Sequence, residues 1–196
     1  MISEVFEKKS LFWELYALDK LTAEQYQEKP CPYCGGPLHF ANYLRKPRGE
    51  LCDLPEKYFI RFSLCCGAPV CRRRVTPHSC RFLDRKVYWF PVIVCVASER
   101  QRLPPKFNKL KFPEDLTISR NTLDRWSLYF QDDFPSSPQW QRIRGLASPS
   151  VQNNNLPLSL FNAFSMTNKF NFKKALISCL KFLCQGWALP LRIRAG

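Results

Sequence analysis

The apolar positions in the middle of the chain recur with the spacing of an amphipathic helix. Leu123, Trp126 and Phe130 stand at positions i, i+3 and i+7, which share one face of a helix. Ser119 stands just before them, and a serine hydroxyl caps helix N-termini well. The sequence therefore predicts a helix that begins after Ser119 and buries Trp126 in the core.

Other segments carry related patterns. The run 87–96 is apolar and then turns charged, which fits a core helix starting near Pro91 or a buried strand, and we favour the helix. An N-terminal helix is predicted within residues 1–30. The stripe of 158–189 predicts C-terminal helices that pack in the core or form a dimer, with core packing preferred. The Ser-, Pro- and Asn-containing segment 146–157 is predicted to be a linker.

A cysteine-rich segment, residues 31–86, separates the N-terminal helix from the helical region at 87–145. The stretch CPYCGG has the form of a zinc knuckle, in which a tight turn aims two thiolates at one point. Structural zinc takes four ligands in a tetrahedron, and the stretch FSLCCGAPVCRRR supplies further cysteines. The predicted zinc ligands are Cys31, Cys34, Cys66 and Cys71, with Cys65 as the substitute for Cys66 and His39 as a weaker candidate.

The alternatives to zinc for these cysteines are a redox pair, disulfides, or packing as small core residues. A redox C-x-x-C motif would be expected to start a helix, and the Gly35–Gly36 pair argues against one. A disulfide framework needs an oxidising compartment, and nothing in the sequence points to export. Core packing is expected for Cys95, Cys179 and Cys184, which lie in apolar runs, whereas Cys52 and Cys80 receive no assignment.

The net charge indicates an anionic partner. The chain has 30 Lys and Arg against 16 Asp and Glu, and the excess lies beyond residue 30, where 26 bases face 10 acids for a net +16. Such an imbalance favours polyanions, of which nucleic acid is the usual one. The alternatives are a solubilising surface or an acidic protein partner.

The bases fall into three groups that could contact DNA. Arg72, Arg73 and Arg74 follow the last predicted ligand, and strand alternation would place the first and third on one face. They could contact phosphates, or neutralise the thiolates. A second basic turn comprises Arg45, Lys46 and Arg48. The third group is the start of the predicted helix, where a recognition helix presents polar residues to base edges: Ser119, Arg120, Asn121, Thr122 and Arg125.

Read in order, CPYCGG, CCGAPVCRRRVTP, SCRFLDRKVYW and ISRNTLDRW resemble the zinc-ribbon and helix-turn-helix region of insertion-sequence transposases and related bacterial mobile-element proteins. The resemblance implies DNA binding with Zn²⁺ as a structural ion, and it implies no catalysis. A helix-turn-helix also needs a supporting helix, for which 106–118 is the candidate, shortened or distorted by Pro113. The alternative is an ordinary amphipathic helix with a solvated polar face.

The sequence argues against an enzyme. A nuclease needs acids that hold Mg²⁺, and the best pair is Asp132–Asp133, so a nuclease or transposase fragment is the third hypothesis, after a non-enzymatic protein-interaction module. His78 is expected to be exposed in a turn.

With no apolar run of about 18 residues, a membrane partner is not expected and the predicted location is cytoplasmic, associated with the nucleoid. The sequence is also compatible with a homodimer or with a transposase as a partner protein.

The predicted fold class is α+β, with a small four-cysteine zinc-ribbon β module followed by a mainly helical, helix-turn-helix-like module.

Overall fold

A computed structural model describes residues 9–48, 53–84, 86–102 and 118–188. The fold is α+β, as predicted: short antiparallel strands and the cysteine cluster lie between an N-terminal helix and a helical region. The helices are α1 Lys9–Gln27, α2 Phe90–Arg102, α3 Arg120–Leu128, α4 Phe134–Ser136, α5 Pro138–Ile143, α6 Leu158–Thr167 and α7 Phe172–Gln185. The strands are β1 Leu38–Phe40, β2 Tyr43–Leu44, β3 Ile60–Arg61, β4 Leu64–Cys66 and β5 Arg74–Val75.

The strands form two small antiparallel sheets. One has the order β1-β4-β5, and the other pairs β2 with β3. Alternation along the three-stranded sheet turns Leu38, Leu64, Cys66 and Val75 inward to a small core of their own. The cysteine cluster therefore has a hydrophobic core directly beneath it.

The helices share a larger core that also includes α1. Helix α2 is buried along 90–98, so this run forms the helix that was favoured over a strand. Trp89, just before it, is fully buried and packs against the rings of Phe12 and Phe82. Because a helical stretch that is apolar on every side must lie inside the protein, 90–98 is buried, and α3, α6 and α7 pack against α2.

Helix α3 begins where the sequence predicted. The Ser119 hydroxyl accepts a hydrogen bond from the Thr122 backbone N–H, and Trp126 is buried against Tyr88. The helix continues through a π-helical turn, Tyr129–Asp133, into α4. The candidate supporting helix, apart from its last residue, lies outside the described residues.

The segment predicted to be a linker, 146–157, packs on the helices. Leu156 is fully buried, and the Trp140 indole N–H donates to the Asn153 side-chain oxygen at 2.9 Å. The C-terminal stripe is also in the core, since Leu176 and Leu183 of α7 are fully buried. The segment is therefore packed against the helices on both sides of it. Its Ser, Pro and Asn content predicted a linker because composition alone does not show this packing.

A buried carboxylate joins α1 to the segment that follows the cysteine cluster. Asp19 accepts hydrogen bonds from Ser79 Oγ, from the Cys80 backbone N–H and, at 2.7 Å, from Arg81 Nε. Arg81 also donates to the backbone oxygens of Tyr58 and Ile60. This network ties α1, β3 and residues 79–81 into one unit.

None of the helices in the described part of the chain is both long enough and apolar enough to cross a membrane.

The Asp19 network predicts a large loss of stability in Asp19→Ala. Removal of the carboxylate leaves the Arg81 guanidinium, which is 0% exposed, without its counter-ion. Breaking a buried pair from one side costs about 3–5 kcal/mol. Urea unfolding followed by circular dichroism measures this, with Glu24→Ala, which breaks the exposed Lys20–Glu24 pair, as the control expected to lose less than about 1 kcal/mol. Equal losses in the two variants would contradict the prediction.

Candidate metal centre

The first pair of cysteines lies in a tight turn that its own backbone closes. The Cys31 N–H donates to the Gly36 carbonyl at 2.8 Å, and the Gly35 N–H donates to the Cys31 carbonyl at 2.8 Å. Gly35 has a φ of 79°, a conformation that side chains other than glycine disfavour. The Gly36 N–H points at Cys34 Sγ, 3.4 Å away.

The second pair lies in the β4–β5 hairpin. Cys66 ends β4, and the Cys71 N–H donates to the Ala68 carbonyl at 3.0 Å. The Ala68 N–H points at Cys66 Sγ, 3.4 Å away, in the same relation that Gly36 has to Cys34. Each turn therefore offers an amide N–H to one sulfur, as a metal-bound thiolate requires.

Strand pairing brings the two turns together. Strands β1 and β4 are antiparallel with Leu38 opposite Cys66, and the Gly67 N–H donates to the Pro37 carbonyl at 2.9 Å. A Cβ atom at Gly36 would lie only 3.2 Å from Cys66 Sγ. Glycine at this position therefore leaves room for the sulfurs to converge.

The four sulfurs have the spacing of a tetrahedral site. All four ligand atoms lie within 4.8 Å of one another, with Cys31 Sγ 3.9 Å from Cys71 Sγ and Cys34 Sγ 3.4 Å from Cys66 Sγ. Four sulfurs at about 2.3 Å from a central ion would stand about 3.8 Å apart. Cys31, Cys34, Cys66 and Cys71 could thus hold a metal ion with little movement.

The choice between Cys65 and Cys66 follows from the register of β4. Cys66 is buried with the cluster, whereas Cys65 lies on the other face of the strand, opposite His39 and Arg74, with its Sγ 3.4 Å from the Arg72 carbonyl. His39, the weaker ligand candidate, is exposed beside Gly67 and does not join the cluster. Successive residues of a strand face opposite sides, so only one of two adjacent cysteines can reach the cluster.

The thiols of the cluster differ in acidity. Burial raises the pKa of Cys31, but hydrogen bonds from the backbone at Tyr33 and Cys34 outweigh it and lower the value to about 7. At Cys34, the Gly36 N–H lowers the pKa, yet sharing a proton with Cys66 leaves it above the ordinary value. The pKa values of Cys66 and Cys71 are raised as well, since burial opposes the backbone hydrogen bonds at both. One thiolate is therefore available before a metal arrives, and three thiols must lose protons when it binds.

The arginine triplet divides into different environments. Strand β5 begins only at Arg74, and Arg72 has a φ of 46°, so the strand alternation expected for these residues does not reach Arg72. Arg74 donates to the Ala41 carbonyl and to Ser63 Oγ, which makes it part of the fold. All three arginines are exposed, and within the described residues Arg74 alone of the three donates side-chain hydrogen bonds.

An aromatic ring that the sequence left without a role lies under Arg73. The Arg73 guanidinium is 4.8 Å from the centre of the Tyr33 ring, which is 46% exposed and lies between the first two cysteines. Tyr43 stands in the same relation to Arg74, at 5.5 Å. The position of Tyr33 inside C-x-x-C was the one signal that could have drawn attention to it.

The second basic turn is partly structural. Arg45 donates to the carbonyls of Asp84 and Lys86 at 2.6 and 2.8 Å, and its guanidinium covers the Phe82 ring. The side chains of Lys46 and Arg48 are exposed. Two of the three predicted contacts are therefore open to a partner.

The first turns of α3 present the predicted polar residues to solvent. Ser119, Arg120, Asn121 and Arg125 are exposed, whereas Thr122 is half-buried and hydrogen-bonded to Ser119 Oγ. Arg125 folds back along its own helix to the Asn121 carbonyl and Thr122 Oγ1. Arg120 and Asn121 are thus the residues here whose side chains are most available.

The acidic residues named for a nuclease lie in the π-helical turn, where Asp132 and Asp133 are both exposed. Within the described ranges, the four-cysteine cluster is the group of three or more Cys, His, Asp or Glu residues that gathers closely enough to hold a metal.

The chain matches no family model, no curated protein and no solved structure.

We expect Cys66→Ser to abolish tight binding of a divalent metal and Cys65→Ser to retain it, because the two sulfurs lie on opposite faces of β4. Titration with Co²⁺, followed by its thiolate charge-transfer absorption, measures both. Equal losses in the two variants would contradict the assignment of Cys66.

Metal binding should release protons. At about pH 8 the Cys31 thiol, with its pKa of about 7, is mostly ionised, while the other three thiols are mostly protonated because their pKa values are raised. Binding by four thiolates should therefore release about three protons, and the affinity should fall as the pH is lowered. Calorimetry in buffers of different ionisation enthalpy counts these protons, and a count near zero would exclude thiolate ligation.

Proposed function

We propose that the protein is a zinc-stabilised, sequence-specific DNA-binding protein. The observation that carries the proposal is the exposed Arg72–Arg73 segment with Tyr33, built directly on the four-cysteine cluster.

Zinc is the metal that this ligand set favours. Four thiolates with near-tetrahedral spacing are typical of structural zinc, whereas Mg²⁺ and Ca²⁺ take oxygen ligands. Four protein ligands leave no position for water, so the ion would hold the two turns together and take no part in a reaction.

The cations beside the cluster are available to phosphates. Zinc with four thiolates carries a net charge of −2, which the neighbouring Arg72 and Arg73 help to balance. In the described part of the chain, no acidic side chain forms an ion pair with either arginine. Because their guanidinium groups are exposed, they can exchange counterions for DNA phosphates at little cost in structure. The Tyr33 ring could add a stacking surface for a base or sugar.

Helix α3 supplies the part that would read sequence. Arg120 and Asn121 are exposed in its first turn, and Arg and Asn make the bidentate contacts to guanine and adenine in the major groove. The buried Trp126 anchors the opposite face. This division of a short helix into an anchored face and an exposed polar start is what a recognition helix requires.

The biological setting belongs to the same proposal. Resemblance of the cysteine and α3 motifs to insertion-sequence transposases supports association with a mobile element. It also supports a cytoplasmic, nucleoid-associated location, and a homodimer or a transposase as a further partner.

A protein-interaction module is the second candidate, favoured by exposed apolar side chains near β2. Phe40, Tyr43 and Leu44 are 43%, 43% and 52% exposed. In that case zinc would hold the fold, an acidic protein would meet the basic surface, and DNA binding would be weak and indifferent to sequence.

The phosphate contacts predict that Arg72→Glu/Arg73→Glu weakens DNA binding and reduces its salt dependence. Each lost phosphate contact lowers the slope of log K against log salt by about one unit. Fluorescence anisotropy on a duplex at several salt concentrations measures both quantities. Arg144→Glu/Lys174→Glu is the matched control, since it changes the net charge equally at exposed positions outside the cysteine module. Equal losses of DNA affinity in the two double variants would contradict specific phosphate contacts at Arg72 and Arg73 and would indicate an effect of net charge alone.

A change in sequence preference separates the two candidate functions. Selection from a randomised duplex library should enrich one DNA site with the native protein. Asn121→Ala should lower the discrimination between bases at one base pair of that site by about 1–3 kcal/mol. No enrichment with the native protein would favour the interaction module.

A further inference from the structure

Two cysteines outside the four-cysteine cluster meet in the interior of the protein. Cys80, next to the Asp19 network, and Cys184, at the end of α7, have their sulfurs 3.4 Å apart. Both residues are 4% exposed. A disulfide needs about 2.05 Å between its sulfurs, so a short approach of the two side chains would join them.

A small cavity lies beside one of the two cysteines. It has a volume of about 130 Å³ and is lined by Cys184, together with Arg61, Thr76, His78 and other residues. A water molecule needs about 10–15 Å³ of cavity volume, so the space holds a ligand of several non-hydrogen atoms. It is too small for a peptide or a glutathione-sized thiol. Cys80 is not among its lining residues.

The polar groups around this cavity are not fully used by the fold. Arg61 is 6% exposed and donates to the carbonyls of Phe62 and Pro77, at 3.3 and 2.5 Å. The ion pair of Asp19 is with Arg81, and no carboxylate within the described ranges pairs with Arg61. Nδ1 of His78 is buried without a hydrogen-bond partner among the described residues, although His78 was expected to be exposed. The residues that line the cavity thus include one with a buried guanidinium and one with an unpaired imidazole nitrogen.

The pKa values of the two thiols are shifted in opposite directions. The hydrogen bond from Cys80, helped by the neighbouring His78, lowers the pKa of Cys184 despite its burial. The same hydrogen bond, together with burial, raises the pKa of Cys80 well above its usual range. Of the two cysteines, the one that lines the cavity is therefore the one whose thiol loses its proton more readily.

We propose that Cys184 is a peroxide-reactive thiol and that Cys80 is its resolving partner. The substrate class is hydrogen peroxide and the smallest alkyl hydroperoxides, because a ligand must fit the cavity that Cys184 lines. This site goes beyond DNA binding and does not depend on it.

The chemistry needs only the peroxide and the two thiols. The Cys184 thiolate attacks one peroxide oxygen, the O–O bond breaks, and the other oxygen takes a proton and leaves as water, or as an alcohol where the substrate is an alkyl hydroperoxide. This proton comes from solvent through the cavity. The sulfur is oxidised to a sulfenic acid. The Cys80 sulfur then attacks it, an S–S bond forms, and the hydroxyl leaves as water with the Cys80 proton, so two thiols and one hydrogen peroxide give one disulfide and two waters.

Peptide mapping tests the proposal on the full-length, zinc-loaded protein. The protein is treated with hydrogen peroxide, its remaining thiols are alkylated, and a digest is analysed by mass spectrometry at several times. We expect a cross-linked Cys80–Cys184 peptide to form at least about tenfold faster than Cys179 is oxidised. Cys179 is a matched internal reference, since it lies in the same helix and burial raises its pKa.

Two variants separate the roles of the sulfurs. Cys80→Ser should stop the reaction at a sulfenic acid on Cys184, which dimedone traps, and Cys179→Ser should leave the cross-link unchanged. Oxidation of Cys80 and Cys184 no faster than Cys179 in the unaltered protein would overturn the proposal, whether or not either variant folds. Loss of the cysteine-cluster metal without the Cys80–Cys184 cross-link would also overturn it.

Discussion

The buried carboxylate of Asp19 is the interaction on which the arrangement of the protein depends. A charge with 2% exposure is tolerated inside a protein only when it is paired and fully hydrogen-bonded, and Asp19 has Arg81, Ser79 and the Cys80 backbone for this purpose. These partners follow the last cysteine of the cluster along the chain, and Arg81 extends the network to β3. The carboxylate therefore fixes where the small sheets stand relative to α1 and, through α1, relative to the helical core.

The hydrophobic core of the helices and the one beneath the cysteine cluster differ in size. The helices bury a continuous apolar core around α2, which needs no metal to exclude water. The core beneath the cysteine cluster is small, and a metal ion held by the four thiolates would add stability that so small an apolar area does not provide. Such an ion would also give the exposed Arg72, Arg73 and Tyr33 a rigid support.

Much of this arrangement could be predicted from local patterns. The start of α3 at Ser119, the burial of Trp126 and the helical state of 90–98 follow from capping and from apolar spacing, which are properties of neighbouring residues. The cluster of Cys31, Cys34, Cys66 and Cys71 was predictable for a similar reason, because two short turns each carry a pair of sulfurs. The DNA-binding roles of the exposed bases stay predictions, since nothing in the fold measures what they bind.

The sequence by itself determined the α+β class, the helix starts and the candidate metal ligands, because these depend on residues close together along the chain. Only the tertiary structure decided between Cys65 and Cys66, since strand register sets which sulfur faces inward. It also decided that Arg45 and Arg74 serve the fold, that 146–157 packs on the core, and that Cys80 meets Cys184. Each of these outcomes is a contact between residues distant in sequence, and local periodicity carries no information about such contacts.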